Sequence, residues 1–232
     1  LAIYPEPDRF LHKYAKFIGA EYENVLTTNG SDMAIRYLLE TFGEVDKEVV
    51  TVAPSFEMYW VNCCILGYRH VPVVYEPDLT IKIENILNAI NDNTRIVVLL
   101  NPNNPVGNVY TEEELQRVIA RAKEVGAIVI IDEAYHYFYP NTFLNYALEG
   151  ENVVVLRTFS KLFSIAACRL GVIVSNPEII HYVKNARLTF DANSIALLFA
   201  ERILDHPEMV DELIRIEREG KAYTLEELQK KG

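Results

Sequence analysis

Cysteine is scarce. The 232-residue chain holds three, two of them adjacent at Cys63 and Cys64. Three cysteines cannot make a disulfide framework, and a bond between neighbours would be strained. The fold is therefore expected to rest on its core, and a reducing cytoplasm is the expected compartment. Cys168 is expected to pack as a small hydrophobe. Long apolar runs are missing too: residues 96–100 and 127–131 are among the longest, which suits buried strands and not a membrane span. Basic residues are outnumbered, 22 Lys and Arg against 33 Asp and Glu, for a net charge of −11. An acidic surface repels nucleic acid and anionic lipid, so neither is expected as a partner. No Gly-x-Gly-x-x-Gly and no Gly-Lys-Ser/Thr run occurs, which argues against a nucleotide-binding sheet. There is no internal repeat, no low-complexity tract and no expected metal site.

What is present is apolar patterning. Half of the residues are hydrophobic, enough for one large core and part of a second unit. Short β-branched runs alternate with amphipathic stretches, which predicts an α/β protein with a mostly parallel sheet covered by helices on both faces. Strands are expected at 48–52, 70–74, 95–100, 127–131, 152–156 and 170–174. Helices are expected at 32–41, 56–66, 81–90, 111–124, from Pro177, at 194–204 and at 207–220. Thr111 with Glu114 three residues on reads as a capping box.

Four segments carry chemistry. In Arg157-Thr-Phe-Ser160-Lys161, a strand ends in a hydroxyl and an amine, with Arg169 and Gly171 close behind. Such a set can hold a phosphate and form an imine with an aldehyde, as pyridoxal phosphate requires, although a surface Ser-Lys turn is the plainer alternative. Asn101-Pro-Asn-Asn104-Pro-Val-Gly107 makes a stiff turn after a strand, with side-chain amides held where open α/β sheets bind ligands. Asp132-Glu-Ala-Tyr135 ends another strand on a carboxylate, which can pair with a pyridinium nitrogen or simply cap a helix. Thr28-Asn-Gly30-Ser31-Asp32 reads as a glycine turn into a helix capped by Ser31 or Asp32, whose free N–H groups suit an anion.

In this order and combination the segments resemble the fold-type I PLP-dependent aminotransferases of class I/II, the histidinol-phosphate aminotransferase branch in particular. The similarity runs from Tyr4-Pro5 to about Ser194. It implies that Lys161 forms a Schiff base with pyridoxal 5'-phosphate and then moves the substrate proton. Asp132 pairs with the ring nitrogen, and Tyr135 and Asn104 hydrogen-bond the ring oxygen. Ser160, Arg169 and the Gly30-Ser31-Asp32 turn hold the phosphate, and Phe56 stacks on the ring. Tyr4 reaches the cofactor of a neighbouring subunit, which implies a homodimer. The implied activity moves an amino group between an amino acid or amino-alcohol phosphate and a 2-oxo acid. A lyase of the threonine-phosphate decarboxylase type and a non-catalytic remnant of the fold are the alternatives.

The resemblance divides the chain into an N-terminal segment, 1–18, that contributes to the dimer and active site; a large PLP-binding domain, 19–185; and linker helices with the beginning of a smaller C-terminal domain, 186–232. Set beside the family, the chain is expected to lack an N-terminal arm and most of that second domain, with the substrate-clamping arginine. Three departures stand out. Phe56 replaces a common tyrosine. Residues 162–168 are bulkier than usual. Asp191 replaces an asparagine and is expected to put a negative charge near the substrate pocket. His136 is expected to be structural.

Overall fold

Seven strands form one sheet with helices on both faces in the computed structural model, which describes residues 2–231. In chain order, α1 (Asp8–Ile18) leads into β1 (Val25–Asn29) and α2 (Gly30–Phe42), followed by β2 (Glu48–Ala53), α3 (Met58–Leu66) and β3 (Arg69–Val74). Next come α4 (Ile83–Ala89), β4 (Thr94–Leu100), α5 (Glu112–Glu124), β5 (Ile128–Asp132), α6 (Leu144–Glu149) and β6 (Val153–Thr158). The chain closes with β7 (Leu170–Ser175), α7 (Pro177–Ala186), α8 (Ser194–Leu204) and α9 (Pro207–Gln229). Strand order is β1-β7-β6-β5-β4-β2-β3. β2 to β6 pair in parallel, as the alternation of strand and helix predicts, whereas β7 runs against both β6 and β1.

Period-2 alternation along the strands builds the two cores. Val97 and Leu99, Val129 and Ile131, and Val153 and Val155 join one cluster, with Phe10 and Tyr14 of α1, Leu115 and Val118 of α5, and Ala196 and Ala200 of α8. Ile96 and Val98, Ile130, and Val154 and Leu156 join the other, with Ile35 and Leu38 of α2, Cys63 of α3 and Ile180 of α7. Each fully buried Leu, Ile or Phe stabilises by roughly 1.5–3 kcal/mol relative to exposure.

The structure departs from the sequence reading in four places. β1 was not anticipated, because Val25-Leu-Thr-Thr-Asn has a weak apolar signal. Its Thr27 and Thr28 are fully buried because β7 pairs alongside. α1 and α6 are further helices. α9 runs beyond Gly220 to Gln229. Neither Ser31 nor Asp32 caps α2. The helix starts at Gly30, whose φ of 73° turns the chain straight out of β1, and Ser31 and Asp32 lie in the first turn. The Thr111–Glu114 capping box is present, with Thr111 Oγ1 accepting from the Glu114 N–H and the Glu114 carboxylate accepting from the Thr111 N–H. The cysteines are free, and Cys168 packs against the first cluster. No helix among the described residues is long and apolar enough to cross a membrane.

Candidate active site

Strand direction gathers the four segments. The carboxyl ends of β4, β5 and β6 lie side by side, so Asn104, Asp132 and Lys161 follow neighbouring strands. Because β7 is antiparallel, its first residues lie at that same edge: Gly171 is opposite Thr158 on one side and Thr28 on the other. Arg169 is thereby brought beside both Ser160 and the start of α2. A cavity of about 160 Å³ opens there. Ser31, Asp32, Phe56, Asn104, Asp132, Tyr135, Ser160, Lys161 and Arg169 line it, together with Leu100, Ala134 and Thr158, which sequence reasoning did not single out.

Glycine makes the crevice possible. A Cβ on Gly171 would sit 2.6 Å from the Gly30 carbonyl carbon and 2.7 Å from the Ser31 nitrogen. A Cβ on Gly30 would meet Arg169 Nη2 at 2.5 Å. The guanidinium therefore lies directly over the first turn of α2, where backbone N–H groups lack helical partners. It is held there by Asp32, whose Oδ2 accepts from Arg169 Nη2 at 2.8 Å. Arg169 itself adopts a left-handed conformation, φ 53°, at the turn into β7.

Asp132 is buried at the pocket floor. Its Oδ2 accepts from the Tyr59 hydroxyl at 2.8 Å, and its Oδ1 from the Ala134 N–H at 3.0 Å. Burial pushes the carboxyl up to about 6; the two hydrogen bonds oppose this, and the charges of Glu133 and Asp32 add to it. Lys161 is exposed, with Nζ 5.3 Å from the centroid of the Tyr135 ring. The Ser160 N–H donates to Thr158 Oγ1 at 3.1 Å.

Of the three asparagines in the β4 turn, only Asn104 lines the pocket. Asn101 accepts from the Tyr110 N–H at 3.0 Å. Asn103 donates to the Pro54 carbonyl at 3.0 Å and accepts from Ser55 at 2.8 Å, which ties the turn to the loop carrying Phe56. Tyr59 was missed as a site residue, though its signal was present: a tyrosine on an apolar helix needs a partner for its hydroxyl. Tyr4 lies outside the pocket of its own chain, 72% exposed and stacked on Phe190 with ring centroids 4.2 Å apart. Asp191 is not at the pocket either. Its carboxylate accepts from the Asn29 N–H at 2.9 Å, and it lines a separate cavity of about 380 Å³ beside α1 and α7. His136 is half-buried away from the pocket, and burial lowers its pKa.

An amine, a buried carboxylate and a guanidinium over a helix N-terminus define a three-layer α/β domain equipped to hold a phosphate beside a nucleophile. The particular family follows from comparison: the chain belongs to the aminotransferase class I and II family, whose model matches residues 1–231. A histidinol-phosphate aminotransferase of Clostridium novyi is 32% identical over 230 residues, covering 98% of this chain and 64% of the relative. One from Caldanaerobacter subterraneus subsp. tengcongensis is 35% identical over 205 residues, covering 87% of this chain and 58% of the relative. The chain thus spans less than two thirds of these relatives' length. Among solved structures, the histidinol-phosphate aminotransferase of Clostridium acetobutylicum superposes with a TM-score of 0.88 at 25% identity, over 100% of this chain and 70% of that one. The Sinorhizobium meliloti enzyme, solved in complex with pyridoxal-5'-phosphate, gives 0.82 at 25% identity over 91% and 59%.

Proposed function

We propose that this chain is the cofactor-binding part of a PLP-dependent aminotransferase. In this reading the whole enzyme moves an amino group between a histidinol phosphate-like amino compound and a 2-oxo acid. One observation carries the reading: Asp132, Lys161 and Arg169 converge on one cavity from three different strand ends. The names of the relatives support the substrate class.

The residues fit the cofactor. Gly30 and Gly171 leave a backbone cradle that a Cβ would fill, with Arg169 above it, which suits a phosphate. Asp132 is a buried carboxylate with two hydrogen-bond donors and no ion-pair partner among the described residues. A protonated ring nitrogen would supply the missing charge. Phe56 offers a ring face, and Tyr135 and Asn104 offer polar groups in the same cavity.

When bound, pyridoxal 5'-phosphate supplies an electrophilic carbonyl and an electron-accepting ring. The chain's own residues do the rest. Lys161 would provide the Nζ nucleophile and the base for the proton on the donor's α-carbon. The charge of Asp132 would favour a proton on the ring nitrogen. Arg169, Ser160 and the first turn of α2 fix the phosphate and so orient the reacting atoms.

The same proposal includes a homodimer to which Tyr4 contributes, and a cytoplasmic location. It also includes a division near residue 186, beyond which linker helices lead to the beginning of a second domain. α8 still packs into the first core cluster, as a linker helix would, and the exposed Ile216, Leu225 and Leu228 of α9, a helix with Val210 as its one buried described residue, support a separate unit only from α9 onward. The test is an absorbance spectrum of the full-length gene product with pyridoxal 5'-phosphate. A visible band should appear, collapse on adding glutamate or histidinol phosphate, and return with a 2-oxo acid. Lys161→Ala should show no such band. A wild-type protein without the band overturns the proposal.

A further inference from the structure

Asp132 has two donors, and they differ in kind. The Ala134 N–H follows from the backbone turn after β5 and would be there whatever the side chain. The Tyr59 hydroxyl comes from a separate element, α3, and is 2% exposed. The groups facing Asp132 are otherwise unhelpful to its charge. Glu133 beside it and Asp32 on α2 both disfavour the ionised form. Their own cations are committed elsewhere: Arg157 pairs with Glu133 and Arg169 with Asp32. Lys161 lines the same cavity and makes no ion pair with Asp132 among the described residues. Tyr59 is therefore the one side chain that donates to this carboxylate among the described residues.

Resting on the pyridoxal-phosphate reading, we propose that Tyr59 is a positioning residue that keeps Asp132 ionised and fixes the plane of its carboxylate for the cofactor's ring nitrogen. The hydroxyl donates to Oδ2 and stays protonated: burial, and next the negative charge of Asp132, push the phenol well above its ordinary pKa. It is thus a permanent donor and never a competing base. A donor fixed to one oxygen and the Ala134 N–H fixed to the other leave the carboxylate one orientation.

Tyr59→Phe keeps the ring and deletes that one bond. In the cofactor-free chain, the titration midpoint of Asp132, followed by the carboxyl carbon shift of labelled aspartate, should rise by about one unit. The pH dependence of pyridoxal 5'-phosphate affinity should move the same way, with about a tenfold loss below neutral pH that narrows in alkali. In an Asp132→Asn background, Tyr59→Phe should change the affinity by less than about twofold. A fluorotyrosine at position 59, a more acidic donor, should move the midpoint down, and it serves if the Phe variant does not fold. An unmoved midpoint, or an equal loss of affinity in both backgrounds, overturns the proposal. If the midpoint moves but the wild-type chain binds no pyridoxal 5'-phosphate, the cofactor reading fails and the positioning role falls with it. A chain that binds the cofactor but whose midpoint is unmoved overturns this proposal alone.

Discussion

Arg157 and Glu133 lie 2.9 Å apart with side chains 6% and 0% exposed, one from the end of β6 and the other from the residue after β5. Arg157 Nε also donates to the same carboxylate oxygen at 3.1 Å, and the carboxylate accepts from Thr142 and from the Phe143 N–H. The pair locks together the two strand ends that carry Lys161 and Asp132. Glu133→Gln keeps the volume but leaves a buried guanidinium without its counter-charge. It should cost about 3–5 kcal/mol of unfolding free energy in urea titration. Replacing both residues with well-packed apolar side chains should recover much of that loss.

Asp132 gives the cofactor-free chain a pH dependence of definite sign. Its carboxyl is raised from the ordinary aspartate value of 3.8 to about 6. Between those values the folded chain binds more protons than the unfolded one, so stability falls as pH rises through the window. The stabilising contribution is fully present below pH 3.8 and is lost above about pH 6. Asp132→Asn removes this slope. The variant's unfolding free energy relative to wild type should therefore increase from pH 4 to pH 7 by on the order of 2–3 kcal/mol. The slope is the diagnostic, because the amide changes the local hydrogen bonds at every pH. Saturating the wild-type chain with pyridoxal 5'-phosphate should flatten the slope too.

Local signals in the sequence marked the alternation of strand and helix, the Thr111 cap and the strand ends that meet at the cavity. Each rests on short-range pattern: β-branched runs, an Asx, Gly or Pro break, a side chain at a strand end. Phe56, by contrast, came from the resemblance, and Leu100, Ala134 and Thr158 were not singled out. What stayed hidden is non-local. The antiparallel insertion of β7 between β6 and β1 has no local mark, yet it alone places Arg169 against Gly30. Glu133 and Arg157 stand in the two best-marked motifs, and only strand pairing shows that they bind each other and not a ligand. The partner of Asp191 was hidden for the same reason. The Asp191 carboxylate is taken by the Asn29 N–H, and the Asn29 side chain in turn donates to the Asp191 carbonyl.

Arg169 separates ligand binding from stability. Its pair with Asp32 is nearly half exposed, 41% and 44%, so the pair itself contributes at most about 1 kcal/mol. Arg169→Lys keeps the charge but loses the fork that matches two phosphate oxygens. Melting temperature should change by only a few degrees. Affinity for pyridoxal 5'-phosphate should fall about tenfold or more, the worth of one hydrogen bond to a charged group. Affinity for pyridoxal, which has no phosphate, should not change. Equal losses for both ligands would mean that Arg169 acts on something other than the phosphate.

Gly171→Ala tests the cradle from the other side. Its added methyl would meet backbone, 2.6 Å from the Gly30 carbonyl carbon and 2.8 Å from the Gly30 oxygen, and backbone cannot rotate away as a side chain can. The first turn of α2 must then move off β7, at a cost of roughly 1–3 kcal/mol. Because Gly30 and Ser31 sit at that contact, the same displacement should weaken inorganic phosphate and pyridoxal 5'-phosphate together. Gly220→Ala is the matched control. It lies within α9 with nothing inside 4 Å of the added Cβ, and alanine favours a helix over glycine by about 1 kcal/mol. That variant should be as stable as wild type or more so, with unchanged ligand affinity. If Gly171→Ala binds phosphate as the wild type does, the contact between β7 and α2 does not shape the anion site, and the phosphate must be held elsewhere in the crevice.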